Sequence, residues 1–182
     1  MQLISTHGGY QDLISFKTAT IVYDLTVEFC QMYIKDHRMR DQMIQAARSG
    51  RQNIAEGSQA SGTSKKTEMH LVNVARASLE ELLLDYKDYL RQRKLLLWDK
   101  GQPEALAVRA LGYRTYRSYM TYTSYMEPPE SAANTLICLI CQTTYLLDRL
   151  LNALQADFLQ NGGFSEKMYA ERSKILRRRQ HS

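Results

Sequence analysis

Proline is nearly absent: Pro103, Pro128 and Pro129 are the only three in 182 residues. The nine glycines are sparse and clustered. So few breakers favour long helices over many short strands. The three cysteines, Cys30, Cys138 and Cys141, cannot all pair within one chain and give no secreted disulfide framework. No stretch approaches the ~20 uncharged apolar residues that a membrane helix needs. The opening MQLISTHGGYQDLISF lacks a basic region followed by an apolar run, so no signal peptide is expected. A cytoplasmic protein without membrane contact is the expectation.

Catalytic signatures are missing too. There is no G-x-S-x-G to support a hydrolytic triad. No Glu-x-x-His occurs, and His7, His37, His70 and His181 are dispersed, which argues against a di-metal site in a helical bundle. Cys138 and Cys141 form C-x-x-C but lack a second ligand pair, and their setting LICLICQTT reads as core packing. Glu80 and Glu81 are neighbours on a helix, about 100° apart, and do not converge. No cofactor, no metal and no enzymatic activity are expected.

The stretch Arg48–Ser58, RSGRQNIAEGS, is the first positive feature. A phosphate loop would need a preceding strand and a Gly-Lys-Ser/Thr ending. Here Ser58 follows Gly57 and no strand precedes. A close helix contact explains it better. Gly50, Ala55 and Gly57 omit side-chain bulk so that another backbone can approach. Asn53 and Glu56 would then be buried or half-buried polar groups needing partners, with Arg76 or Arg48 beside Glu56. On that reading Glu56→Ala destabilises more than a surface change.

Apolar periodicity predicts four long helices. The first runs from Gln11 to Asp36 on Ile14, Ile21, Leu25, Phe29 and Met32. Lys35–Arg40, KDHRMR, reads as a charged turn. The second helix runs from Asp41 to Ala60. The third runs from Ser64 to Lys94, with Ser or Thr as its cap and Glu68 near its positive end. The last covers Glu130–Gln160. The expected fold is all-α: an antiparallel up-down four-helix bundle over 11–160, with an inserted segment at 104–129 and a basic extension at 161–182.

The inserted segment holds Tyr113, Tyr116, Tyr119, Tyr122 and Tyr125, with Arg114 and Arg117 interleaved. In an α-helix a three-residue step drifts by about 60°, so these rings would wind around the rod. Packing onto the bundle or onto another subunit is the preferred reading. Stacking on unpaired bases is the alternative.

The formal net charge of +5 and pI of about 9.1 tilt the chain toward polyanions. Arg51, Lys65, Lys66, Arg91, Arg93, Lys94, Arg177, Arg178 and Arg179 are the candidate phosphate contacts.

The runs NIAEG and SKKTEMHLVNVARASLEEL resemble the four-helix-bundle family that includes the protein encoded in ribosomal-RNA intervening sequences. The accessory variability protein of diversity-generating retroelements is similar. Ser49, Asn53–Gly57, Ser64–Lys66, Asn73–Ser78 and Glu81–Leu82 carry the resemblance, and LISFKTATIVYDLTVEF looks like the family's first helix. The later segment resembles a subgroup with a four-helix-bundle suffix. This chain departs from the pattern at Gly50 and Arg51, where apolar residues or proline are usual, and at Thr67, where the usual glutamate is displaced to Glu68. The resemblance implies a bundle assembled as a ring-like homopentamer, without catalysis, with RNA and a reverse transcriptase as partners of the retroelement relative. Two functions follow as expectations. The first is RNA binding through basic surface groups. The second is a scaffold for an acidic protein partner such as a polymerase.

Overall fold

The computed structural model describes residues 8–114 and 118–180, with Arg179 and Gln180 described by backbone alone. The leader over 1–7, Tyr116, Arg117, the Arg179 side chain and His181 lie outside the described residues. All regular elements among the described residues are helical. They are α1 (Ile14–Tyr33), α2 (His37–Ala60), α3 (Lys65–Gln92), α4 (Pro103–Leu111), α5 (Pro129–Asn161) and α6 (Phe164–Gln180), with 3₁₀ turns at Gly9–Asp12 and Tyr119–Tyr125.

Helix α1 buries Ile21, Val22, Leu25, Phe29 and Cys30 along one stripe. Only Ile34, Lys35 and Asp36 separate it from α2. The Asp36 carboxylate accepts a hydrogen bond from the Met39 N–H at 2.7 Å, a cap that contributes about 1 kcal/mol. The charged run is therefore mostly helical, and α2 begins four residues before the expected Asp41. Its charged side chains stay solvated in the first turn, so they do not stop the helix. Ser64 caps α3 as expected, accepting from the Thr67 N–H at 3.1 Å.

The seam between α2 and α3 is the closest. Met43, Ala47, Gly50, Ile54 and Gly57 follow one another at steps of three and four, all buried. A Cβ on Gly50 would lie 2.8 Å from Leu79 Cγ, and one on Gly57 would lie 3.3 Å from the Glu68 carbonyl oxygen. The Ser49 and Ser78 hydroxyls meet at 3.0 Å. Since Gly50 faces Leu79 and Gly57 faces Glu68, the two helices run antiparallel. Helix α1 packs on α2 and α5, and α3 packs on the same two. At the centre the buried Tyr86 hydroxyl donates to Thr26 Oγ1 at 3.0 Å. The Phe29 ring meets those of Tyr33, Tyr86 and Tyr89 at 5.1, 5.0 and 4.9 Å between centroids.

Polar groups of the Gly-rich run are placed differently from expectation. Asn53 is half-buried and its amide donates to the Ser49 carbonyl at 2.9 Å and to Ser49 Oγ at 3.1 Å. Glu56 is exposed, with no ion pair among the described residues. Arg76 pairs instead with Asp148 of α5 at 3.3 Å. Glu56 lies on the side of α2 away from the Gly50–Gly57 line, so the seam does not enclose it.

The tyrosine segment is not one α-helix. Helix α4 ends at Leu111, and Tyr119–Tyr125 forms a 3₁₀ run. Three residues per turn match the tyrosine period, so rings three apart align instead of winding. Tyr122 is fully buried, Tyr125 half-buried and Tyr119 exposed. The 3₁₀ run contacts α1 and α5, and the Tyr33 hydroxyl donates to the Met126 carbonyl at 2.8 Å. Among the cysteines, Cys30 is buried and Cys138 half-buried, but Cys141 is exposed, against the expected core role. Burial pushes the Cys30 thiol up to about 12 and the Cys138 thiol up to about 11.

Helix α6 follows Gly162, which stands at φ 65°. Among the described residues it has no substantial packing against another helix.

Overpacking at Gly50 costs about 1–3 kcal/mol, while the gain in helix propensity from alanine returns about 1 kcal/mol. Gly50→Ala is therefore expected to destabilise by about 1 kcal/mol. Glu56→Ala should stay within about 0.5 kcal/mol of the parent. Thermal denaturation of both variants checks the order; an equal effect would contradict the seam geometry.

Candidate nucleic-acid interface

The basic residues singled out from the sequence do not form one surface. Helix α3 has 28 residues and spans about 40 Å. Lys65 and Lys66 lie at its start, while Arg91, Arg93 and Lys94 lie at its end. Arg177 and Arg178 are exposed on α6.

Two of these cations are already engaged. Lys65 Nζ lies 3.0 Å from Asp157 and 3.7 Å from Glu68, tying the start of α3 to the end of α5. Burial holds the Glu68 carboxyl above the ordinary value, against the opposing pull of Lys65. Asp157 is held below its ordinary value by hydrogen bonds from Asn161 and Lys65. Arg51 is half-buried, with its guanidinium 4.4 Å from the Tyr23 ring centroid. Its Nε is buried without a hydrogen bond. Beside it, burial raises the Asp24 carboxyl and the Arg51 charge pulls it back. Arg51 therefore serves the α1–α2 seam.

The end of α3 is different. Arg91 pairs with Asp88 at 2.9 Å but stays exposed. The Arg93 guanidinium lies 3.9 Å from the Tyr89 ring centroid, also exposed. The helix ends in a Schellman motif: the Leu95 N–H donates to the Leu90 carbonyl at 2.9 Å and the Lys94 N–H to the Arg91 carbonyl at 3.2 Å. That motif places Lys94 at φ 58°, where glycine is the usual occupant.

Antiparallel packing sets this end beside the α1–α2 turn. Tyr33, Lys35, Asp36, Met39, Tyr89 and Arg93 line one open depression there. Arg38 and Arg40 stand in the adjoining first turn of α2, with Arg40 against His37. Asp36, Asp41, Asp88 and Glu127 offset part of this charge. Lys35, Arg38 and Arg40 escape the sequence reading because their run looks like a turn. The density of cations in KDHRMR is the signal that points to them.

Helices α1 to α3 are also where the chain matches known proteins. Residues 13–96 match the model of a family described as 23S rRNA-intervening sequence protein. The resemblance read from Asn53–Gly57 and Asn73–Ser78 is borne out over that span. Helices α4, α5 and α6 lie outside it. No curated protein and no solved structure matches the chain. No helix among the described residues is long and apolar enough to cross a membrane.

A carboxyl held high in the folded state favours folding most when protonated. Its contribution falls as pH rises through the folded value. The melting temperature of Glu68→Gln relative to the parent should therefore shift in the variant's favour between about pH 4 and about pH 7. A pH-independent difference would remove Glu68 from this linkage.

Proposed function

We propose that this chain is a cytoplasmic, non-enzymatic, oligomeric protein that binds RNA through the end where the α1–α2 turn meets the α3 C-terminus. Its four long helices, α1, α2, α3 and α5, form an antiparallel up-down bundle whose seams hold that end in shape. The observation that carries the reading is the convergence of Lys35 and Arg93 on one depression, with Arg38 and Arg40 in the first turn of α2 and Arg91 and Lys94 at the end of α3. Cations spaced on a rigid end suit phosphates and carry little sequence selectivity. Tyr33 and Tyr89, packed on Phe29, form part of the wall of the same depression.

Lys94 sharpens the argument. A side chain at a left-handed position costs about 1 kcal/mol relative to glycine. A cation kept there at a cost in stability fits a binding surface better than a purely structural helix end.

A protein-interaction role is the second reading, favoured by α6. Met168, Tyr169, Ile175 and Leu176 are exposed on it, and among the described residues it makes no substantial contact with another helix. A homo-oligomer, of which a pentamer is one form, or an acidic partner such as a reverse transcriptase would cover these side chains.

Lys94→Gly separates function from stability. It should raise stability by about 1 kcal/mol while weakening RNA binding. Removing one phosphate interaction should reduce the log–log salt slope by about 0.7. Lys65→Gln should change the slope little. Filter binding over a salt series reads both. Failure of the parent protein to retain RNA at low salt would hand the surface to the protein-partner reading.

A further inference from the structure

A second concavity lies away from the basic end, between the start of α1, the turn after α4 and the middle of α5. Its volume is about 490 Å³, and Lys17, Tyr113, Arg114, Gln142 and Tyr145 line it. Lys17 and Lys35 are about 25 Å apart along α1, so the two sites are separate.

The chemistry is unusual for a plain surface. Tyr113 is 90% exposed and Tyr145 61% exposed. Large rings left in water along a helical body have planar faces free for stacking. Two cations flank them. Lys17 has only a loose contact of 3.9 Å with the exposed Asp12, and Arg114 has no ion pair among the described residues. Gln142 completes the site. Its Nε2 donates to the Arg109 carbonyl at 3.1 Å, while its Oε1 is buried without a hydrogen bond. An unused buried acceptor calls for a donor. Gly112 leaves room for the amide: a Cβ there would lie 2.7 Å from Gln142 Nε2.

Rings, cations and an orphan acceptor together describe a ligand with a flat aromatic face, a donor edge and negative charge. An apolar peptide would use the rings but would bury the cations and leave the acceptor unpaired. We infer that this concavity takes an unpaired nucleotide of single-stranded RNA, with its base on Tyr145 and Tyr113 and its phosphate toward Lys17 and Arg114. The inference rests on the RNA-binding reading above and adds a preference for single strands that phosphate contacts alone do not provide.

The test uses the full-length protein, a short single-stranded oligoadenylate and an RNA duplex of equal length, followed by fluorescence anisotropy. Tyr145→Ala should weaken single-strand binding about tenfold and leave duplex binding unchanged. Tyr145→Phe, which keeps the ring, should stay within about twofold of the parent. Arg93→Glu, at the other end, should weaken both ligands. Parent-like binding of the single strand by Tyr145→Ala would overturn the inference while leaving the RNA reading intact. A parent protein that binds neither ligand would overturn the RNA reading and this inference with it. A fall in the sedimenting mass of Tyr145→Ala would make the concavity a contact between copies, and would equally overturn the nucleotide site.

Discussion

The approach of α2 to α3 is the constraint on which the molecule depends. Gly57 faces a backbone carbonyl of α3, and Gly50 faces the Leu79 side chain. Neither glycine holds the helices apart with a side chain of its own, so α3 packs directly on the α2 main chain at these points. Leu79, Leu82, Leu83 and Tyr86 are thereby held buried on the helix that packs against α5. Tyr86 then reaches Thr26 and Phe29 on α1, so one seam fixes the register of its neighbours. Close-packed interiors transmit such shifts with little absorption.

That register also builds the basic end. Antiparallel helices return the α3 terminus to the α1–α2 turn, so residues far apart in sequence, Lys35 and Arg93, come to share a rim. The same geometry sends Lys65 to the opposite end, where it is enclosed by Asp157 and Glu68. A count of basic residues does not distinguish these fates. The charge of a lysine is written in its type, but its availability depends on which carboxylates the fold brings within reach.

Much of the helical plan is legible in the residues. The stripes of α1, α3 and α5 give their extents closely, and the Ser and Thr residues over 61–64 signal a cap, which Ser64 supplies. The differences have identifiable causes. KDHRMR looks like a turn when charge is taken for a break, although Asp36 is a good cap and the rest tolerate a solvated first turn. Glu56 points inward only if the small residues around it are treated as one face. Using Gly50 and Gly57 to set the phase puts it outward. The tyrosine row winds in α-helical geometry, whereas its period is that of the 3₁₀ turn that Tyr119, Tyr122 and Tyr125 adopt. Tyr145 carries no signal at all, since a lone tyrosine in a helix is ordinary until the fold places cations beside it.

Helix α6 stands apart from this cooperation. Among the described residues this 17-residue helix has no substantial packing with the other helices, and a helix of that length is marginal in water by itself. Its ellipticity is therefore not linked to the unfolding of the core. A van't Hoff enthalpy fitted to the loss of ellipticity would fall below the calorimetric value, although the packed helices themselves unfold together.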